Sequence, residues 1–373
     1  MKRITVLGGG NGGQTLSAHL TLMGHSVKLF EHPDFAESVQ ALNRKGGIEL
    51  YGSIEGFARL ELITTNMEEA IRDTEIIYLV APSFAQTPIM RMSIPYLETG
   101  MKIVLIPGNF GSLEILRILE EDVPGLDVTL AETDTLPYAC RMDEPGKVNV
   151  WGYKKGLSMA ALPGNRTRAL IKEISDCFPI ELRPSDNVLE VAFSNLNMIV
   201  HCSTVLLNVG RIESTRGDFR FYTDGVTPSV GKLQEEMDRE RIKVGQAYGM
   251  ELVRAIDWIR AIYPVAGESM HELLSGNPIY ARHGADAPKT VTHRYVTEDV
   301  PYLLVPVDCL GEASGISSPV IRSVITLLST ITGKDFLSEG RNLEKLGLKE
   351  LTPGEIMDMV RGHENSTEGR GAS

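Results

Sequence analysis

Cysteine is scarce in this chain: 373 residues hold four, Cys140, Cys177, Cys202 and Cys309, with no C-x-x-C among them. That pattern excludes a disulfide scaffold and a zinc ribbon, and it fits a reducing compartment, so a cytoplasmic location is expected. No stretch approaches 18 uninterrupted apolar residues, so no membrane span is expected. The run Ile4–Leu7 is too short for a signal-peptide core. The eight histidines show no H-E-x-x-H or other ligand spacing, so no metal is expected. Positive charge is in deficit, with 37 Lys and Arg against 49 Asp and Glu for a net charge of −12. This argues against nucleic acid or an anionic membrane as partner. An anionic substrate would need a local cation, which gives weight to isolated arginines. No internal repeat occurs, and the length exceeds what one core usually fills, so two domains are expected.

Glycine is abundant at one place. Five glycines fall within six positions, Gly8 to Gly13, directly after the short β-rich run Ile4–Leu7. A flexible loop would explain them alone, but the flanks point elsewhere. Gln14 to Met23 carries Leu16, Leu20 and Met23 at helical spacing, and Ser26–Phe30 reads as a second strand. Within this strand–turn–helix–strand unit, Gly8, Gly10 and Gly13 match G-x-G-x-x-G, with Asn11 inside the turn. The first glycine permits the sharp turn, the second lets backbone approach a pyrophosphate, and the third packs helix on strand. The helix N-terminus offers unpaired N–H groups and a positive dipole end to the anion. Glu31, just after the second strand, can accept from a ribose diol and would repel a 2′-phosphate. No arginine follows it in His32–Phe35, so the expected cofactor is NAD. The alternative is a solvated glutamate at a strand end.

The α/β pattern continues through Glu75–Ala81, Lys102–Ile106 and Val128–Ala131, with further strands expected at Lys147–Trp151 and Leu157–Ala161. Such near-continuous apolar strands suit a doubly wound, mostly parallel sheet covered on both faces. Ligands lie beyond the carboxyl ends of such strands, so the loops beginning at Pro82, Pro107 and Glu132 are expected to face the cofactor. Pro82 and Asn109 are the contacts assigned there. From about Pro184 the texture becomes helical, with a long helical stretch from Asn187 to Ser214 and further helices at Val230–Gly249, Glu251–Ile262 and Ser318–Leu328. The division is a Rossmann domain over 1–183, a helical substrate domain over 184–361, and a small, polar, disordered tail over 362–373.

Along the long helix, Ser194, Asn197, His201, Thr204, Asn208 and Arg211 recur at spacings of three and four, which places them on one face. A solvated face normally carries Lys and Glu, and this stripe has neither. It suits a cleft wall with an imidazole for reversible proton transfer, or simply a mild outer face. In "THRYVTEDVPYLLVP", Arg294 precedes a helix start expected at Thr297, with Glu298 and Asp299 in its first turn. Those acids could merely complement the helix dipole. Alternatively Asp299 orients a histidine and Arg294 grips a carboxylate. Spacing does not separate these readings.

The chain resembles the opine dehydrogenases over nearly its whole length, through "LGGGNGG", "ACR", "NLNMIVH", "DGVTPSV", "GNPIY", "RYVTEDV" and "EGRNLEKLGL". The resemblance implies a Rossmann domain followed by an all-α domain of the octopine dehydrogenase type. It implies His201 and Asp299 as catalytic pair, Arg294 on the amino-acid carboxylate, and Cys140 near the keto-acid entrance; Asn197, on the polar stripe, is a further expected substrate contact. The reaction implied is NADH-dependent condensation of a 2-keto acid with an amino acid, with small-molecule partners. A homodimer is an expected assembly that the resemblance itself does not fix. Cys202 departs from the pattern, standing where relatives carry proline. Two other readings compete. A hydroxyacid dehydrogenase of the ketopantoate-reductase type would rely on a lysine in the first long helix, where Asn187–Ser214 has none. The other is a nucleotide-sensing protein without catalysis.

Overall fold

The computed structural model describes residues 1–282 and 286–362. The expected tail from 363 on lies outside them. The chain forms two compact units, one of Met1–Ala192 that takes up the chain again from Ile356, the other of Phe193–Glu355. The change of unit thus falls at the end of the helix Val188–Phe193, rather than at the strand before it, and the helix Pro353–Arg361 runs back into the first unit.

The first unit is built on twelve strands: β1 Arg3–Leu7, β2 Ser26–Phe30, β3 Ile48–Gly52, β4 Gly56–Ala58, β5 Leu62–Thr64, β6 Ile76–Leu79, β7 Lys102–Leu105, β8 Thr129–Thr133, β9 Tyr138–Glu144, β10 Lys147–Tyr153, β11 Gly156–Leu162 and β12 Glu181–Pro184. Eight form one sheet in the order β12-β11-β8-β7-β6-β1-β2-β5. All neighbours in it are parallel except β8 and β11. The apolar runs read from sequence are its buried centre: Ile4, Val6, Ile76, Tyr78 and Val104 belong to one core cluster. Strand order reverses beside β1, so the ends of β1 and β6 open the crevice where this architecture takes ligands.

The other four strands, β4-β3-β10-β9, form a second sheet that the sequence reading missed except for β10. Its strands alternate: Val148 and Val150 are fully buried, Trp151 and Tyr153 exposed. "ETDTLPYACR" read as a loop, whereas its second half begins β9, whose residues are mostly exposed and give little apolar signal.

The second unit is helical; its one β feature among the described residues is an isolated bridge from Arg220 to Asp286. The long helix expected from Asn187 to Ser214 is broken into Val188–Phe193, Asn197–Leu207 and Val209–Thr215. Both breaks sit at asparagine, whose side chain competes for backbone partners. The Asn195 carboxamide accepts from the N–H of Asn197, and the Asn208 side chain donates to the carbonyls of Thr204 and Gly225. Val188–Leu207 is long and apolar enough to cross a bilayer by composition, and 72% of its apolar 18-residue window is buried inside the fold. It is core rather than a span. Pro228–Ala247 holds the unit together through Arg241, fully buried. Its guanidinium pairs with Asp238 at 2.7 Å and donates to the carbonyls of Phe193 and Val253, while Asp238 caps the helix Ala255–Ile262 at the N–H of Ala255. That helix begins after the expected Glu251, since residues 251–254 have no regular structure.

Candidate active site

In the first unit the helix Asn11–Leu22 starts at the glycine turn with Gly10 as N-cap, no capping side chain and no acid in its first turn. Gly8 has φ +110, and a Cβ there would lie 2.3 Å from the Val80 carbonyl oxygen. A Cβ on Gly13 would lie 1.7 Å from the Gly8 carbonyl oxygen. These two glycines are demanded by packing. A Cβ on Gly10 would meet nothing within 4 Å, so that position faces open space. Uncapped N–H groups, open space at the middle glycine and a carboxylate at the end of β2 fit a dinucleotide pyrophosphate and ribose.

Glu31 is tied to the turn: Oε2 accepts the Gly9 N–H at 2.9 Å and Oε1 the His32 N–H at 2.8 Å. Burial pushes its carboxyl up, and the two N–H donors oppose that. Asn11 uses its side-chain oxygen to accept from the N–H of Met142 on β9, which joins the turn to the second sheet. Gln14, unremarked in the sequence, is fully buried and bridges the Gly9 carbonyl at 2.7 Å and the Gly146 N–H at 2.9 Å.

The loops after β6 and β7 meet through Asn109, whose amide donates to the Ser83 hydroxyl at 2.9 Å, next to Pro82 at the N-cap of Ser83–Ser93. Asn109 and Phe110 both have positive φ, 56° and 66°. The buried Glu132 carboxylate stabilises this unfavourable backbone. It accepts from Phe110 N–H at 3.2 Å, Ser112 N–H at 2.7 Å and Ser112 Oγ at 2.6 Å. Asp134, just beyond, was also missed. Burial pushes its carboxyl up to about 6, and its Oδ1 has no hydrogen-bond partner. Cys140 on β9 is half-buried against the core, and burial pushes its thiol up.

In the second unit His201 is on the helix Asn197–Leu207 and Asp299 lies between Arg294–Thr297 and a π-helical turn, Val300–Leu304. Such turns recur at functional sites. The expected helix start at Thr297 is therefore wrong. His293 is the N-cap, accepting from the Tyr295 N–H, and Thr297 ends that helix. The fold brings His201 Nδ1 to 2.7 Å from Asp299 Oδ2, across 98 residues of chain and almost wholly out of solvent. Burial pushes the Asp299 carboxyl up, while the His201 hydrogen bond holds it down.

Around this pair stand aromatic rings that spacing gave no sign of. Tyr295 stacks on the imidazole with centroids 3.8 Å apart, and the Tyr222 hydroxyl is 3.3 Å from His201 Nε2. Tyr222 in turn stacks on Tyr280 at 4.1 Å. Arg294 is exposed, and its Nη2 is 2.7 Å from Oε2 of the buried Glu298, which also accepts from Nε. A buried carboxylate thus fixes the angle of an outward-facing guanidinium.

The polar stripe does not form one wall. Asn197 is exposed, whereas Thr204 and Asn208 are buried and bonded to internal partners, Thr204 receiving from Gln234 at 3.1 Å. Arg211 is exposed, over the Phe219 ring. Asn197, Thr204 and Asn208 belong to one continuous helix and its C-cap, so it is the packing around the helix that separates an exposed end from a buried one.

Two family models match the chain: the NAD-dependent glycerol-3-phosphate dehydrogenase N-terminus over residues 3–110, and the NAD/NADP octopine/nopaline dehydrogenase alpha-helical domain over 184–332. An opine dehydrogenase from Arthrobacter sp. (strain 1C) is 34% identical, over 96% of this chain and 99% of that protein. The chain belongs to the opine dehydrogenase family. It is thus an NAD-dependent oxidoreductase acting on a CH–NH bond. A vitopine synthase from Allorhizobium ampelinum is 26% identical over 97% of this chain and all of its own. Among solved structures, an octopine dehydrogenase determined with NADH and L-arginine has a TM-score of 0.79 at 20% identity, covering 99% of this chain and all of that one. That likeness fixes the opine dehydrogenase fold, a Rossmann-like parallel sheet followed by a helical unit.

Proposed function

We propose that this opine dehydrogenase joins a pyruvate-like 2-keto acid to an amino acid and reduces the resulting imine with NADH, and runs the reverse oxidation. The observation that carries the assignment of roles is the buried 2.7 Å contact between His201 and Asp299. When bound, the dinucleotide supplies the hydride in synthesis and accepts it in oxidation. The residues of the chain do the rest.

In synthesis the substrate amine adds to the keto carbon, and the carbinolamine hydroxyl leaves as water with a proton from His201. The iminium carbon then takes the hydride, giving a secondary amine. One proton is consumed per turnover, and it enters through the imidazole. Asp299 holds the Nδ1–H tautomer and stabilises the imidazolium form. Arg294 pairs with the amino-acid carboxylate, its fork aimed by Glu298. Asn197, exposed one turn before His201, is a substrate contact, and Cys140 lies toward the keto acid. Gly8, Gly10, Asn11 and Gly13 hold the pyrophosphate, Glu31 the ribose, and Pro82 and Asn109 the nicotinamide end. Glu31 favours NAD over NADP. A cytoplasmic homodimer is the expected form; the four cysteines are all unpaired, and sedimentation would give the assembly.

A matrix of 2-keto acids against amino acids, followed by NADH oxidation, tests the reaction. Oxidation that requires both partners is expected. Oxidation with a keto acid alone would mean a hydroxyacid dehydrogenase of the ketopantoate-reductase type.

A further inference from the structure

Asp299 occupies one nitrogen of the catalytic imidazole; the other, Nε2, is the one left for chemistry. It faces the Tyr222 hydroxyl at 3.3 Å. Tyr222 comes from the segment between Val209–Thr215 and Pro228–Ala247, apart from both elements that carry the His–Asp pair. Its ring is held between Phe221, edge-on at 5.2 Å, and Tyr280, stacked at 4.1 Å. Tyr295, from a third segment, stacks on the face of His201 at 3.8 Å. The imidazole is therefore fixed on three sides, by Asp299, Tyr222 and the Tyr295 ring.

We propose that Tyr222 is a positioning residue for His201, its hydroxyl serving both protonation states of Nε2 by rotation of a single O–H bond. With Nε2 unprotonated, the hydroxyl donates to it. With Nε2 protonated, the hydroxyl turns and accepts from it. A phenol can do both because it carries one donor and acceptor lone pairs on one atom. No phenolate forms, and no bond to carbon is made or broken. Burial pushes the Tyr222 hydroxyl well above its usual range, in keeping with a group that stays protonated throughout. An imidazole that gains and loses a proton each turnover is thus spared an unpaired buried N–H or lone pair in either state.

The inference rests on the His201 role proposed above and is tested with the whole enzyme. Tyr222→Phe removes one oxygen and keeps the ring stack. It should lower kcat about three- to tenfold in both directions, the equivalent of one hydrogen bond, while KM values stay within about twofold. Proton transfer should become more rate-limiting, so the solvent deuterium isotope effect on kcat should rise as that of deuterated NADH falls. Tyr280→Phe is the control, since its hydroxyl bonds Tyr263 at 3.1 Å and does not reach His201. An unchanged isotope effect in Tyr222→Phe, or an equal change in Tyr280→Phe, overturns the inference while leaving the His201 role intact. Normal turnover in His201→Asn would instead overturn the role itself.

Discussion

Asp299→Asn is the most direct probe of the catalytic pair. The carboxylate is 6% exposed and its Oδ2 is 2.7 Å from His201 Nδ1. Asparagine has nearly the same shape, so packing against the π-helical turn should persist. Its amide, however, can present an N–H to Nδ1 and favour the tautomer with the proton on Nε2, which cannot act as a base. Losing a hydrogen bond to a charged partner alone costs about 1.5–3 kcal/mol, roughly a ten- to hundredfold loss in rate. Adding the wrong tautomer brings the expected loss to about 10²–10⁴, the span of general acid–base catalysis. Initial rates of NADH oxidation at saturating substrate would measure it, with NADH binding followed separately by its fluorescence. Binding should survive, because the glycine turn belongs to the other unit. The double variant with His201→Ala should be little slower than the poorer single one, since groups acting as a unit are non-additive. A loss below tenfold, or multiplicative losses in the double variant, would refute the pairing.

Three further outcomes are expected. Arg294→Lys keeps the charge but not the planar fork aimed by Glu298, so KM for the amino acid should rise about tenfold or more with little change for NADH; a wild-type KM would mean that Arg294 is only a surface charge. Glu31→Ala should shrink the ratio of kcat/KM for NADH over NADPH, and a wild-type enzyme already favouring NADPH would remove the ribose role. Asp134, with its carboxyl pushed up to about 6 by burial, holds a proton more tightly folded than unfolded, so stability falls as pH rises from about 4 through about 6. Asp134→Asn should accordingly raise Tm at neutral pH, by the equivalent of about 1–3 kcal/mol, and flatten that pH dependence. Melting curves at several pH values would show it, and an unchanged slope would count against the buried charge.

The central strands β1, β2, β6, β7 and β8, the glycine turn and the acid after β2 were legible because their causes are local. An apolar run between glycines makes a buried strand whatever surrounds it, and the close backbone contacts at Gly8 and Gly13 admit no side chain. His201 was visible as an imidazole in an apolar helix; the resemblance rather than spacing matched it with Asp299. Only the tertiary structure sets those two 2.7 Å apart, since 98 residues separate them and no periodicity spans that distance. It also decided that Asn195 and Asn208 break the long helix, that Thr204 and Asn208 serve the core rather than a cleft, and that β3, β4 and β9 join β10 in a second sheet. All but the break at Asn195, whose partner is the N–H of Asn197, depend on a distant group: a carbonyl at Gly225, a side chain at Gln234, or a strand a hundred residues away. The tyrosines about His201 are the clearest instance, because a ring's stacking partner is set by where the backbone returns in space, and Tyr222, Tyr280 and Tyr295 come from three separate segments.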